Sequence, residues 1–295
     1  MLKSGERVIH IVSAALHGGQ PNTGVRFGPS LIRRRLPQTT TMRHTRVMAK
    51  DEDDIWCQLQ NLKHHLDDVH RNAQVGDGPP DPVLVLGGDH SVGMASVRAT
   101  RNRHPEARVL WIDAHPDLHT PMTSESQNVH GMAVGMLTCQ AGASRRELVC
   151  IEPAHLAFLG LRSVDPAERA WFGVHRNVAK FSADELNSNT DRVLSEVEEF
   201  VSNHPVHVSF DIDVLDPTLA PATGTPVPGG LLLPELEATI DKLRSLNIVT
   251  LDIVEVDPCL RGGEKTAELA GDIASDILWG TRRISSRREK SEAGL

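Results

Sequence analysis

Three short segments concentrate the side chains that could do chemistry. Gly87-Gly88-Asp89-His90 closes an apolar run with a histidine, Asp113-Ala114-His115-Pro116-Asp117 alternates acid and imidazole, and Asp211-Ile212-Asp213 sets two acids two apart. Residues two apart in an extended chain point to the same side. Asp113, His115 and Asp117 therefore converge from one segment, and Asp211 with Asp213 from another. Carboxylates gathered in one place repel, and burial raises their pKa values, unless cations neutralise them. Two bridging carboxylates would let His90, Asp113, His115, Asp117, Asp211 and Asp213 serve a two-metal cluster, with room for a shared water. An oxygen-rich set supplemented by imidazole favours Mn²⁺, whereas structural zinc prefers thiolates. Two adjacent ions acidify the shared water and supply hydroxide near neutral pH. Each motif alone reads equally well as a helix cap or an ordinary loop. Their joint occurrence, each after a buried strand, carries the metal reading.

The elements that must position these residues are short, almost continuously apolar runs, the pattern of strands buried on both faces. Val8–Val12, Val83–Leu86, Arg108–Ile112, Leu156–Leu161, His207–Ile212 and Ile248–Val256 are the expected strands. Amphipathic stretches alternate with them: Asp54–Val69, Val92–Asn102, Thr190–Ser202, Pro234–Leu246 and Lys265–Leu278. Strands and helices in alternation predict a three-layer α/β/α fold with a mostly parallel central sheet, read as one domain over residues 1–295. In such folds, ligands gather past the carboxyl ends of the strands, where the three segments fall.

Composition narrows the function further. A formal charge of −8 argues against nucleic acid as the main partner, and 3% aromatic residues with no tyrosine leave little to stack on bases. No apolar run approaches the length of a membrane span. The first residues show no secretory pattern, so a cytoplasmic location is expected. Cys57, Cys139, Cys150 and Cys259 form no CxxC pair and read as free, mostly buried thiols. His64, His65 and His70 are expected on a solvated helix face. Arg33-Arg34-Arg35 and the basic tail from about residue 282 (Arg282, Arg283, Arg287, Arg288) are expected as solvated charge, and the segment around Gly76–Pro80 as a polar loop.

From about His10 to Gly280 the sequence resembles the ureohydrolase family, and within it the arginases. The likeness is dense in Leu86–Val92, Trp111–Gly131, Ser209–Gly230 and Leu251–Pro258. The resemblance implies one metal on His90, Asp113, Asp117 and Asp211, and a second on His115, Asp113, Asp211 and Asp213, with Asp113 and Asp211 bridging. It implies that Ser126 and Asn128 receive a substrate α-carboxylate, and that His130 transfers protons. Asp165 would accept the α-amino group, with Glu168 acting through water. Glu255 would pair with the guanidinium, with Thr225 beside it, and Asp117 would orient the attacking hydroxide. Two residues depart from the pattern. His119 stands where arginases usually carry an asparagine that contacts the α-carboxylate, and Ser163 where they usually carry an aspartate. The resemblance also implies a homo-oligomer, commonly a trimer with contacts near the C-terminus. A small guanidinium compound, L-arginine before agmatine or a guanidino acid, is the implied substrate. The competing reading is a catalytically silent metal-binding regulatory protein.

Overall fold

The computed structural model describes residues 8–39, 42–48, 54–73, 80–138 and 150–292. Its strands are β1 (Ile9–Ala15), β2 (Met42–Met48), β3 (Val83–Gly87), β4 (Arg108–Ile112), β5 (Leu156–Leu161), β6 (Ala179–Ser182), β7 (Val206–Asp211) and β8 (Ile248–Val254). All pair in parallel, in the order β2-β1-β3-β8-β7-β4-β5-β6. The helices are α1 (Gly28–Arg35), α2 (Ile55–Asn72), α3 (Val92–Arg103), α4 (Ala133–Leu137), α5 (Pro166–Val174), α6 (Ala183–Ser188), α7 (Thr190–Val201), α8 (Leu233–Arg244), α9 (Gly263–Trp279) and α10 (Arg283–Glu292).

Side-chain alternation along the strands builds two separate cores. Leu84, Leu86, Leu110, Ile112, Ala157 and Leu159 pack with α1, α7, α8 and α9 on one face. Val83, Val85, Val109, Trp111, Leu156 and Phe158 pack with α2 and α3 on the other. The expected three layers are present, and the six expected strands appear within a few residues of their expected bounds. Two strands escape sequence reading, and both lie at the sheet edges. β2 reads Met-Arg-His-Thr-Arg-Val-Met with no apolar run, and β6 spans only four residues. An edge strand has one neighbour and less to bury, so its apolar signal is weak. β8 stops at Val254, two residues short of expectation, because Glu255 turns to φ 64° and its N–H donates to the Gly88 carbonyl.

Several surface expectations are corrected. His70 is buried on α2, its Nε2 3.4 Å from the Thr250 hydroxyl, because it falls on the helix's inward face. His65 contacts Thr45, while His64 is exposed as expected. The C-terminal segment forms α10 rather than solvated charge. Arg283 and Arg287, together with Arg35 of α1, close on the fully buried Asp272 of α9, and Arg288 lies 2.8 Å from Glu237. Sequence reading lacks this partner because Asp272 is over 200 residues from Arg35. Among the described cysteines, Cys57 and Cys259 are exposed and Cys150 half-buried, so "mostly buried" does not hold. Cys139, the N-terminal residues 1–7 and most of the polar loop (74–79) lie outside the described residues. No described helix is long and apolar enough to cross a membrane.

Candidate metal centre and pocket

Four adjacent central strands, β3, β8, β7 and β4, deliver the chemistry-bearing residues at their carboxyl ends. His90 follows β3, Glu255 follows β8, Asp211 and Asp213 close β7, and Asp113, His115 and Asp117 follow β4. The turn after β3 is tight: a Cβ on Gly88 would lie 1.7 Å from the Leu16 carbonyl oxygen, so only glycine fits.

Each ligand is set by its own strand. The His90 ring stacks on Trp111 with centroids 4.0 Å apart, and the Trp111 indole N–H donates to Asp113 Oδ2. His90 Nε2 is 2.9 Å from the Ser209 hydroxyl, which donates to Asp252 Oδ2. His90 Nδ1 therefore faces three carboxylate oxygens, of Asp113, Asp117 and Asp211, at 3.0–3.1 Å. Neither that nitrogen nor Asp117 Oδ2 has a hydrogen-bond partner, and both are buried. Beside this group, His115 Nδ1 lies 3.0 Å from Asp213 Oδ2 and 3.5 Å from Asp113 Oδ1. Asp113 thus offers one oxygen to each group, as a bridging ligand must. Asp211 joins the first group through Oδ2, while its Oδ1 accepts from the Asp213 N–H. Thr225 donates to Asp213 Oδ2 and supports that side chain. Arg162, which sequence reasoning passed over, donates to the carbonyls of Asp213, Val214 and Leu215 and fixes the turn after β7.

The electrostatics are those of a cluster short of positive charge. Burial, then the charge on Asp213 and Asp113, pushes Asp211 well above the usual carboxylate range. Burial and the Asp113 charge raise Asp213, and the same causes raise Asp117 to about 7. Burial alone would raise Asp113 too, but contacts with His115 and His90 outweigh it and hold that carboxyl low. Burial would depress His115, yet Asp113 and Asp213 outweigh it and lift the ring to about 12. A divalent cation would relieve the raised carboxyls of Asp117, Asp211 and Asp213 together. The unpartnered His90 nitrogen and Asp117 oxygen, with the oxygen-rich donor set, fit metal ions in both groups.

A cavity of about 420 Å³ opens over the cluster. His90, His115, Asp117, Asp211 and Asp213 form part of its wall, and among the described residues no lysine or arginine lines it. Ser126, Asn128 and His130 line it from one segment, and His119, Ser163, Asp165, Glu168 and Thr225 from elsewhere. Glu255 is not in the wall. Its Oε1 accepts from the His90 N–H at 2.7 Å and lies 3.1 Å from His130 Nδ1, while its Oε2 accepts from Gln20 at 2.6 Å. Burial would lower His130, but the Glu255 contact and charge outweigh it and raise the ring to about 9. Glu168 spends both oxygens on the backbone N–H groups of Leu118 and Asp165. His119 Nε2 reaches Asp165 Oδ2 at 2.9 Å. Asp117, Gln127 and Glu255 all hold positive φ, of 49°, 59° and 64°. Such strain costs about 1–3 kcal/mol per residue and clusters where function needs it.

Sequence reasoning missed Gln20, Ser209 and Asp252. Asp252 leaves a signal, an acid inside the apolar run of β8, since a buried charge demands partners. Ser209 shares strand parity with Asp211. Gln20 carries no signal, being joined to Glu255 across 235 positions.

A buried His/Asp cluster fit for metal, under an open polar cavity at the carboxyl edge of a parallel sheet, defines a metal-dependent hydrolase acting on a small molecule. The chain belongs to the arginase family, whose sequence profile matches residues 7–280. It is 30% identical to Arginase-1 of Homo sapiens over 291 residues, covering 88% of each chain. Its fold is similar to the arginase of Bacillus subtilis, at a TM-score of 0.84 and 28% identity over 94% of this chain and 99% of that one. It is also similar to the proclavaminate amidino hydrolase of Streptomyces clavuligerus, at a TM-score of 0.77 and 27% identity over 92% and 91% of the two chains. The protein is a ureohydrolase-type hydrolase.

Proposed function

We propose that this enzyme cleaves the guanidinium group of L-arginine to L-ornithine and urea, with two Mn²⁺ per subunit. The observation that carries the reading is the cavity itself. The acids and imidazoles of the metal groups form part of its wall, and the neutral donors Ser126 and Asn128 line it as well. A guanidinium seeks carboxylates, and a carboxylate is held without a competing cation by neutral donors.

His90, Asp113, Asp117 and Asp211 would hold one ion, and His115, Asp113, Asp211 and Asp213 the other. Bound there, the ions would acidify water and so supply hydroxide near neutral pH. Asp117, which lines the cavity beside the metal groups, accepts a proton from the attacking water and orients it. His130 keeps its proton above neutral pH through Glu255 and delivers it to the departing amine. With both Glu255 oxygens engaged, that carboxylate acts on the substrate through His130. The reading extends to a homo-oligomer, a trimer by family resemblance, in a reducing cytoplasmic compartment. The three described cysteines, none in a disulfide, support the compartment.

The test is urea release by manganese-loaded protein offered L-arginine, agmatine and 4-guanidinobutyrate in parallel. Preference for L-arginine is expected. Preference for agmatine would remove the roles of Ser126 and Asn128. No urea from any of the three, with two ions bound, would favour the silent binding protein. Asp211→Ala and His115→Ala should each lose one ion and most turnover.

A further inference from the structure

We propose that His119 is a specificity-determining residue, which weakens the enzyme's discrimination between L-arginine and a guanidino acid of equal length lacking the α-amino group. The inference rests on the guanidine-hydrolase reading above and concerns the end of the substrate remote from the reaction.

An α-ammonium in this cavity needs a carboxylate. Three acids outside the metal groups line the wall: Glu125, Asp165 and Glu168. Glu168 is 4% exposed and both its oxygens accept backbone N–H groups, so it has little left for a ligand. Glu125 lies in the chain next to Ser126, on the segment suited to the carboxylate. Asp165 remains, at the start of α5, with its side chain 63% exposed.

The His119 imidazole already engages that group. Its Nε2 is 2.9 Å from Asp165 Oδ2 and 3.9 Å from Glu168 Oε1, while Nδ1 is 3.3 Å from the Thr123 hydroxyl. Two anchors hold the ring, and the ring lines the cavity on the side an ammonium would approach. Ser163, the neighbouring wall residue, brings no compensating charge. A substrate ammonium must therefore share Asp165 with His119, whereas a substrate carboxylate reaches Ser126 and Asn128 without displacing that pair. Hydrogen bonds to charged groups are worth enough to change selectivity about tenfold, even when partly exposed.

The experiment compares kcat/KM for L-arginine and 5-guanidinopentanoate in the manganese-loaded wild type, His119→Asn, His119→Gln, Asp165→Asn and the double variant His119→Asn with Asp165→Asn. Calorimetric Kd values for L-ornithine and 5-aminopentanoate give the same ratio without catalysis. Asparagine is also a good helix cap, so Asp165→Asn preserves the start of α5. The wild-type ratio should lie within about threefold of unity. His119→Asn should raise it about tenfold, and the double variant should return it to the wild-type value. His119→Gln, long enough to keep a donor toward Asp165, should retain the wild-type ratio. An unchanged ratio in folded His119→Asn would overturn the proposal. So would a gain that survives Asp165→Asn but disappears with Glu125→Gln. If no guanidine is hydrolysed but the two Kd values still shift as described, the guanidine-hydrolase reading fails and the role of His119 stands.

Discussion

Replacing Ser209 should weaken metal binding while leaving the metal-free fold almost intact. In the structure, His90 Nε2 is 2.9 Å from the Ser209 hydroxyl, so a proton on Nε2 has an acceptor and Nδ1 keeps its lone pair for a cation. Ser209→Ala removes that acceptor at a position where both residues are buried. A buried donor left without a partner costs about 1–3 kcal/mol. Without metal, the three carboxylates that raise the ring's pKa well above its ordinary value keep a proton on Nδ1, so the ring can escape this cost by shedding the one on Nε2. With metal on Nδ1, no such escape exists. The whole penalty therefore falls on the bound state, and Mn²⁺ affinity should drop about 10–100-fold at one of the two positions, the range typical for lost supporting partners of a metal ligand. Asp252 keeps Ser96 and His207 as partners, so the core beneath should hold. Titration against a metallochromic chelator reads the affinity, and urea denaturation of the metal-free protein reads the fold. Affinity within about threefold of wild type would refute the reasoning.

Three further outcomes follow from the same geometry. Glu255→Gln removes the anion that raises His130 to about 9. If the imidazolium is the acid, kcat falls as pH rises through that value. The variant's alkaline limb should then move to lower pH, and bound cations, common to both proteins, leave the sign of the comparison intact. A pH–rate profile with the limb unmoved would remove His130 from the proton path. Burial, then His104 and His207, lowers His70 to about 3, so between about pH 6.5 and 3 the unfolded chain takes up a proton that the fold refuses. Stability is thus lost as pH falls through that window, by at most about 1.4 kcal/mol per pH unit from this group. His70→Gln should flatten the stability profile between pH 7 and 5 in urea titrations; an identical slope would contradict the assignment. Asp272→Ala should destabilise the protein by about 3 kcal/mol, the low end for a broken buried ion pair because Arg35, Arg283 and Arg287 are themselves part-exposed. Chemical denaturation checks it, and a loss below about 1 kcal/mol would show those arginines acting as solvated charge after all.

The layers and the candidate metal ligands were legible along the chain, for a local reason. Strand parity places Asp113 with His115, and Asp211 two before Asp213, while continuous apolar runs announce strands buried on both faces. Family likeness then supplied the chemistry expected of those ligands. Relations between residues far apart in the chain appear only once the sheet is assembled. Ser209 and Asp252 stand behind His90 because β7 and β8 are neighbours in the sheet. Gln20 and His130 close on Glu255 from two separate loops. His119 meets Asp165 across 46 positions, turning one departure from a familiar pattern into a specific contact. Arg35, Arg283 and Arg287 turn toward one another because the buried Asp272 lies between them. Spacing along a strand or helix is written in the residues themselves, whereas contact across a sheet depends on strand order. No local pattern in this chain specifies that order.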